Sequence, residues 1–258
     1  MNYFNSHKII RGIRLVILLK VHGKIKLNLL FWAIFSSKVR ARILDTFHEL
    51  GIVEAKKYYS LDSRSEKYPF LETFIFGTYS YCDYNNKTVI DIGAQTGDSI
   101  LFFAKEGAKR IVAFEPLKEN YQVLLNNVMM NKINCITYNE GLGKLEGFVN
   151  VYVKGKMAKP ISFGEISTTL YKMKVMKLDD YQIQADVVKI DTEGFEIDVM
   201  TGGLNTLSNA NTVIVETHSK FLRNGVKNIL QGLGFRMTRK IINYSGRNVR
   251  IEYWQKKS

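Results

Sequence analysis

The sequence predicts an α/β fold with a mostly parallel sheet, because short apolar segments alternate with helix-like segments and this alternation occurs twice. The first run has expected strands at 88–92, 110–114 and 135–139, separated by helices at 98–107 and 118–131. The second has strands at 187–191 and 212–216 and helices at 196–207 and 220–232. Right-handed crossovers bring the carboxyl ends of such strands to one edge of the sheet, where ligands bind in this class of fold.

Two shorter patterns complete this expectation. Between the two runs, glycines interrupt the chain and apolar and polar residues alternate in 148–153 and 172–178, which predicts short strands and loops in place of a full helix. Near the end, expected strands at 235–238 and 249–254 flank the turn-forming residues 243–248, which predicts an antiparallel hairpin.

The composition fits an intracellular, cytoplasmic enzyme with one large α/β domain and an appendage. Of the 258 residues, 46% are hydrophobic, which is ample for a core. The two cysteines, Cys82 and Cys135, lie in no metal-binding or disulfide spacing, so we expect neither a structural zinc nor a disulfide framework.

Two carboxylates follow the apolar segment Val187–Ile190. Asp191 and Glu193 come directly after it, and Gly194 follows them. Charged groups at the end of a buried strand lose solvation, so their presence indicates a site. The same residues would also suit a helix start, with Asp191 or Thr192 as the N-cap and Glu193 near the positive end of the helix dipole.

A glycine-containing turn follows the first expected strand and is typical of a Rossmann-like unit. Asp91 lies near the end of the strand, Gly93 and Gly97 lie in the turn, and a helix begins near Asp98. Gln95 stands where a dinucleotide-binding loop needs bare backbone against a pyrophosphate, which argues against NAD or FAD.

Glu115 follows the second expected strand, 24 positions after Asp91. An acid at about 20 positions beyond a glycine loop is well placed to accept both hydroxyls of a ribose. An adenosyl cofactor without phosphate fits this arrangement best, and S-adenosylmethionine is such a cofactor. We predict cofactor contacts from Asp91, Gly93, Gln95, Gly97, Asp98, Ser99 and Glu115, and also from Glu140, which could approach the adenine or lie in solvent.

With these motifs in place, the sequence resembles the FkbM family of S-adenosylmethionine-dependent methyltransferases, a branch of the class I methyltransferase fold. The resemblance runs from about Thr88 to Glu216 and rests on DIGAQTGDS, FEP, LDDY, KIDTEGFE, the pair Gly202–Gly203 and VIVETH, in the family order. At Gln95 the family more often has asparagine. The resemblance implies a seven-stranded sheet with a C-terminal antiparallel hairpin, and methyl transfer to a hydroxyl of a small molecule, glycan or lipid-linked acceptor.

Transfer to a hydroxyl would need a base, and Asp191, Glu193 and His218 are the candidates. Asp191 ends the strand expected nearest the methyl group. His218 lies two residues beyond Glu216 and titrates near neutral pH, although a lone histidine is more often an ordinary hydrogen-bonding residue. Asp191, Glu216 and His218 together could bind a divalent cation, but three ligands from two strand ends are a weak pattern, so we assign no metal ligand.

Residues 1–86 are expected to form a basic, mostly helical extension before a catalytic domain at 87–258. Residues 1–50 carry +7 of the net charge of +13, with nine Lys and Arg against two acids. Their apolar runs are too short to span a bilayer. A helical cap over the sheet is favoured, then peripheral contact with an anionic membrane through residues 8–42, and a nucleic-acid arm ranks last.

Two other functions and one further role stay open. The basic balance would suit an RNA methyltransferase, but DTEG stands where base-amine methylation commonly uses an Asn/Asp-Pro-Pro-aromatic tetrapeptide. A cofactor-binding adaptor without enzymatic activity is the other function. The aromatic residues Phe70, Phe74, Phe76 and Tyr79 could line an acceptor pocket, but we favour a core role for most of them.

Overall fold

The computed structural model describes residues 48–154, 157–159, 170–242 and 249–257. The expected membrane-contacting segment 8–42 and the turn 243–248 lie outside these ranges. Within the described residues, no helix combines the length and the apolarity that crossing a bilayer requires.

The secondary structure follows the alternation expected from the sequence. In chain order, the strands are β1 (Thr88–Ile92), β2 (Arg110–Phe114), β3 (Cys135–Tyr138), β4 (Gly141–Leu142), β5 (Gly147–Lys154), β6 (Met157–Lys159), β7 (Leu170–Met176), β8 (Val187–Ile190), β9 (Thr212–Thr217), β10 (Phe235–Ile242) and β11 (Arg250–Lys256). The helices are α1 (48–55 of the described chain), α2 (Lys67–Phe70), α3 (Asp98–Lys105), α4 (Lys118–Met130), α5 (Glu196–Thr201), α6 (Leu204–Asn209) and α7 (Lys220–Gly232). A π-helical turn, Leu71–Ile75, continues α2, and a 3₁₀ turn, Leu178–Tyr181, precedes β8.

Among the described residues, the central sheet has seven strands in the order β10-β11-β9-β8-β1-β2-β3. The strands from β9 to β3 run parallel to one another, and β11 runs antiparallel to both β9 and β10. The predicted parallel sheet with a C-terminal antiparallel hairpin is therefore confirmed. Because β1 and β8 are neighbours, the loop that carries Gly93, Gln95 and Gly97 leaves the sheet beside the loop that carries Asp191 and Glu193.

Side chains alternate between the two faces of the sheet and fill a core on each. Ile90 and Val188 lie in one core, and Val89 and Val187 lie in the other, which α3 covers. Asp91 and Lys189 are register partners across β1 and β8 and follow the alternation onto the face of α3. Two opposite charges thus meet inside an otherwise apolar core.

The described part of the extension packs onto this α3 layer. Phe70 is fully buried against Leu101 of α3, and Tyr79 lies in the same core as β1. The hydroxyl of Tyr253, from β11, donates a hydrogen bond to the Thr78 carbonyl. The core role predicted for Phe70 and Tyr79 is confirmed.

The prediction of a single helix over 196–207 is wrong. The chain forms two helices there, α5 and α6, with Gly202 and Gly203 between them. A Cβ atom on Gly202 would lie 2.0 Å from the Gly143 carbonyl oxygen, and one on Gly203 would lie 2.8 Å from Leu178 Cδ2. The helix therefore breaks where backbone passes directly against backbone.

The middle of the chain forms a second sheet, which the prediction of short strands and loops underestimated. Its order among the described strands is β4-β7-β5-β6, and β5 pairs with β7 antiparallel over several residues. The sheet reaches the carboxyl edge of the central sheet, where the Tyr171 hydroxyl donates to the Pro116 carbonyl at 3.3 Å and Phe195 packs against its apolar side chains. It is placed to cover the candidate site.

Candidate active site

The loop after β1 adopts the left-handed conformations that its glycines allow. The φ angles of Gly93, Gln95 and Gly97 are 79°, 46° and 91°. A Cβ atom on Gly93 would lie 1.8 Å from the Asp191 carbonyl oxygen, so glycine is required where this loop touches the loop after β8. Gln95 holds a left-handed conformation that asparagine adopts more readily, which gives the departure from the family pattern a backbone cost.

A buried layer of charge supports both loops from below. Lys189 Nζ lies 3.0 Å from Asp91 Oδ1, 3.9 Å from Asp191 Oδ2, and donates to the Gly93 carbonyl at 2.7 Å. The Asp91 contact is an ion pair without hydrogen-bond geometry, and the other oxygen of Asp91 accepts from the Ser99 hydroxyl at 2.5 Å. Asp91 and Ser99, both predicted cofactor contacts, therefore form part of the floor under the loop.

Lys189 was missed by the sequence analysis, although a lysine within the apolar strand VVKI was a usable signal. The side chain is almost completely buried. Burial lowers the pKa of a lysine, but the charges of Asp91 and Asp191 raise it here above its usual value, so Lys189 is a fixed cation.

Glu115 lies at the carboxyl end of β2 with both oxygens engaged. Oε2 accepts a hydrogen bond from the backbone N–H of Gln95 at 2.9 Å. Oε1 accepts one from the backbone N–H of Leu117 at 2.9 Å and one from Asn120 Nδ2 at 3.3 Å. Burial raises the pKa of Glu115 to about 7, and these hydrogen bonds oppose that effect. Oε2 accepts only the bond from Gln95 and can accept another, so the group keeps one acceptor position for a ribose hydroxyl.

Two of the predicted cofactor residues have partners of their own. Asp98 accepts a hydrogen bond of 2.5 Å from the Thr73 hydroxyl, and burial raises the pKa of Asp98 to about 6. Glu140 accepts hydrogen bonds from Lys174 and Tyr181. Burial raises the pKa of Glu140, but these two bonds outweigh it and lower the pKa below its usual value. Glu140 is therefore a partly exposed carboxylate that two side chains hold in place.

The candidate acceptor residues converge at the ends of β8 and β9. His218 Nε2 lies 3.7 Å from Asp191 Oδ1 and 3.8 Å from Glu216 Oε1, and His218 Nδ1 lies 3.8 Å from Glu193 Oε2. These distances are those of loose ion pairs, since hydrogen bonds of this kind would be shorter. One ligand atom each from Asp191, Glu216 and His218 lie within 4.8 Å of one another, a donor set that a divalent cation could use.

The charges in this cluster influence one another. Burial raises the pKa of Asp191, but Lys189 and His218 outweigh it and lower the pKa below its usual value. Burial lowers the pKa of His218, but Asp191, Glu193 and Glu196 outweigh it and raise the pKa. Burial together with the charge of Asp191 raises the pKa of Glu216 well above its usual value. Near neutral pH, Asp191 is therefore an anion, and His218 is protonated to a greater extent than an ordinary histidine.

The helix-cap alternative for the carboxylates is wrong. The helix α5 begins at Glu196, its N-cap is Phe195, and no side chain caps it. Glu193 instead has a φ angle of 54°, in the left-handed region, and faces His218. The buried Glu196, which the sequence analysis did not single out, accepts from the Gly194 amide at 2.9 Å and so holds this turn.

Comparisons with known proteins bear on the family and the fold of the chain. The family model described as "Methyltransferase FkbM domain" matches residues 91–237. Comparison with the curated proteins gives no match.

The fold is shared with solved structures of low sequence identity. One is a putative RNA methyltransferase from Pyrococcus horikoshii, with 16% identity, coverage of 82% of this chain and 98% of that chain, and a TM-score of 0.50. Another is a ribosomal protein methylase from Lactobacillus delbrueckii subsp. bulgaricus, with 15% identity, 76% and 84% coverage, and a TM-score of 0.49. A third is a putative tRNA methyltransferase from Streptococcus pneumoniae in complex with S-adenosyl-L-methionine, with 15% identity, 69% and 70% coverage, and a TM-score of 0.45.

Proposed function

Because this chain belongs to the FkbM family of S-adenosylmethionine-dependent methyltransferases, we propose that it transfers a methyl group to a hydroxyl of a small molecule, glycan or lipid-linked acceptor. The observation that carries the proposal is the convergence of Asp191, Glu193 and His218 at the point where the loop after β8 touches Gly93 of the loop after β1. Asp191 thus contacts the loop after β1 through its backbone and lies near His218 through its side chain.

The residues on the donor side fit S-adenosylmethionine. The turn from Gly93 to Gly97 would hold the amino-acid end, and Glu115 would accept a ribose hydroxyl. Gly93 can approach its neighbour closely because it has no Cβ atom. When bound, the cofactor supplies an electrophilic methyl group on a sulfonium, so the protein mainly has to align donor and acceptor.

We assign the proton transfer to His218 and the orientation of its ring to Asp191. Asp191 is a weak base because its pKa is lowered, whereas His218 has a raised pKa and can take a hydroxyl proton once it is neutral. Asp191 lies beside the buried Nε2 and can fix the ring there, which leaves Nδ1, 3.8 Å from Glu193, to receive the acceptor's proton.

Asp191→Asn tests this assignment. The substitution removes the anion that most raises the pKa of His218, so NMR titration of the imidazole should give a lower pKa in the variant than in the parent protein. His218→Ala should retain cofactor affinity and lose roughly 10²- to 10⁴-fold in turnover. Full turnover in His218→Ala would remove the histidine from the mechanism.

The acceptor class is tested by incubating the protein and labelled S-adenosylmethionine with separate fractions of host glycans, lipids, small molecules and RNA. We expect label in a hydroxyl-bearing glycan, lipid or small-molecule fraction. The rival function is RNA methylation, which the net charge of +13 supports. Label in RNA, with binding that weakens steeply as salt rises, would favour the rival.

A further inference from the structure

A basic cleft lies beside the candidate active site, between α7 and the β10–β11 hairpin. It measures about 250 Å³ and is lined by the cations Lys220, Arg223, Lys227 and Arg250 together with Glu252 and Met237. Four positive side chains therefore surround a single carboxylate in a concavity that is large enough for a compact anion.

Two of the cations that line the cleft lie on segments that adjoin the acceptor side of the site. Arg250 is the register partner of Thr217, which directly precedes His218. Lys220 follows His218 by two residues and is the first residue of α7. Lys220 and Arg250 therefore mark the end of the cleft that lies nearest to His218 along the chain and across the sheet.

Charge separates the two regions. The acceptor cluster places the carboxylates of Asp191 and Glu193 beside His218, so its charges offset one another, whereas the cleft carries an excess of positive charge. The helix α7 has no acid in its first turn and begins with Lys220, so the positive end of its dipole adds to the cations of the cleft. An acceptor with a negative group can therefore be held in one orientation, with the anion in the cleft and the hydroxyl at His218.

Glu252 gives the floor of the cleft a second chemical requirement. The residue is 3% exposed, and its Oε2 atom has no hydrogen-bond partner among the described residues. Such an oxygen can accept a hydrogen bond from a hydroxyl. Cations at the rim and a carboxylate acceptor at the floor suit a group that combines phosphate oxygens with sugar hydroxyls.

We propose that the basic cleft binds the sugar-phosphate part of a glycosylated acceptor, with the phosphate on Lys220, Lys227 and Arg250 and a sugar hydroxyl on Glu252. The proposal rests on the proposed methyl transfer to a hydroxyl and narrows its substrate class. A compact cleft of this size fits one phosphate or diphosphate better than the extended backbone of RNA.

Calorimetric titration without S-adenosylmethionine tests the cleft separately from turnover. Glucose 1-phosphate should bind saturably to the parent protein, and glucose should not. The double variant Lys220→Gln, Lys227→Gln should bind glucose 1-phosphate at least roughly tenfold more weakly than the parent protein. The reason is that a hydrogen bond to a charged group can contribute a factor of more than about ten in affinity. The control double variant Lys109→Gln, Arg110→Gln removes the same charge at the opposite edge of the sheet and should bind normally.

A third variant tests the floor. Glu252→Ala, which removes the acceptor oxygen, should bind inorganic phosphate no more weakly than the parent protein while losing the preference for glucose 1-phosphate over inorganic phosphate. Absence of saturable glucose 1-phosphate binding, or equal losses in the two double variants, would overturn the proposal. Selective loss of single-stranded RNA binding in the Lys220, Lys227 variant, without an effect on glucose 1-phosphate, would overturn it as well.

Two titrations of the protein distinguish the possible sources of the sugar phosphate. One uses a nucleoside diphosphate sugar, and the other uses vesicles that contain a polyprenyl diphosphate sugar. Binding of either supports the sugar-phosphate assignment and identifies the source, and binding of neither overturns it. Intact glucose 1-phosphate binding with no methyl transfer to any fraction would refute the proposed function while leaving the cleft assignment standing.

Discussion

Lys189 is the residue on which both loops of the candidate site depend. Its ammonium group is within ion-pair distance of Asp91 and Asp191, and it donates to the Gly93 carbonyl. One buried cation therefore neutralises a carboxylate under the donor loop and keeps the acceptor-side carboxylate ionised.

We predict that Lys189→Met destabilises the fold by about 3–5 kcal/mol, because it leaves the Asp91 carboxylate buried without its cation. Urea unfolding should show a lower midpoint with an unchanged slope. The double variant Asp91→Asn, Lys189→Met should recover part of the loss, since a neutral amide in the same place needs no counter-charge. A double variant no more stable than Lys189→Met would contradict this account.

We predict that Glu115 makes cofactor binding dependent on pH. Its pKa of about 7 means that the carboxyl gains a proton as the pH falls from 8 to 6, and a protonated carboxyl accepts fewer hydrogen bonds from a ribose. We expect calorimetry to give about tenfold weaker S-adenosylmethionine binding at pH 6 than at pH 8. Glu115→Gln should bind more weakly at both values and should lose this dependence. An equal dependence in the variant would assign the titration to another group.

At the scale of single residues, the sequence could predict which site residues lie near one another, but it could not predict which side chains interact. Asp191 and His218 follow strands that are neighbours in a parallel sheet, so their proximity follows from strand order. The partnership of Lys189 with Asp91 depends on the register of β1 against β8, and two segments about a hundred residues apart carry no local signal for register.

At the scale of elements, the contact between the loops after β1 and β8 sets the shape of the site. Gly93 has no space for a Cβ atom, because the Asp191 carbonyl would lie 1.8 Å from it. Gly97 shares the left-handed conformation, but a Cβ atom there would meet its nearest neighbour, Leu124, at an ordinary 3.6 Å. The two glycines therefore separate the effect of collision from the effect of backbone strain.

We predict that Gly97→Ala costs about 1–2 kcal/mol of stability through strain alone and retains S-adenosylmethionine binding. Gly93→Ala should cost more and should abolish measurable binding, since it forces the two loops apart. Urea unfolding and calorimetry on both variants provide the comparison. Similar losses of affinity in the two variants would show that collision with Asp191 is not the decisive effect.

The elements that the sequence analysis placed incorrectly are those decided by tertiary packing. Periodicity continues through 196–207, but the close approach of Gly202 to Gly143 divides the helix. The segments 148–153 and 172–178 have the alternation of strands, as predicted. They lie far apart in sequence with no hairpin turn motif between them, so the sequence did not indicate that they pair in a second sheet.

At the scale of the whole molecule, the extension and the sheet share a core. Tyr79 and Tyr84 are buried with β1 and α3, and the Tyr253 hydroxyl donates to the Thr78 carbonyl. The boundary predicted at 86/87 is therefore a boundary in sequence pattern, and the residues just before it contribute to the folded core.

We predict that the fragment 87–258 does not fold, because it exposes the surfaces that Phe70, Tyr79 and Tyr84 cover. Each buried aromatic is worth about 3–5 kcal/mol, against a total stability of roughly 5–15 kcal/mol for a domain. Circular dichroism and urea unfolding of the fragment, with the full chain as control, check this. A cooperative unfolding transition in the fragment would establish 87–258 as an independent domain.

The backbone contact between Gly93 and Asp191 has a consequence for how the specificity of this protein can change. The spacing between the loop after β1 and the loop after β8 is set by main-chain atoms, so we expect substitutions of the side chains around His218 to leave it intact. The second sheet and the basic cleft can therefore diverge in sequence to admit a different acceptor without disturbing the alignment of the donor. Such a division lets one reaction be retained while its substrates are exchanged.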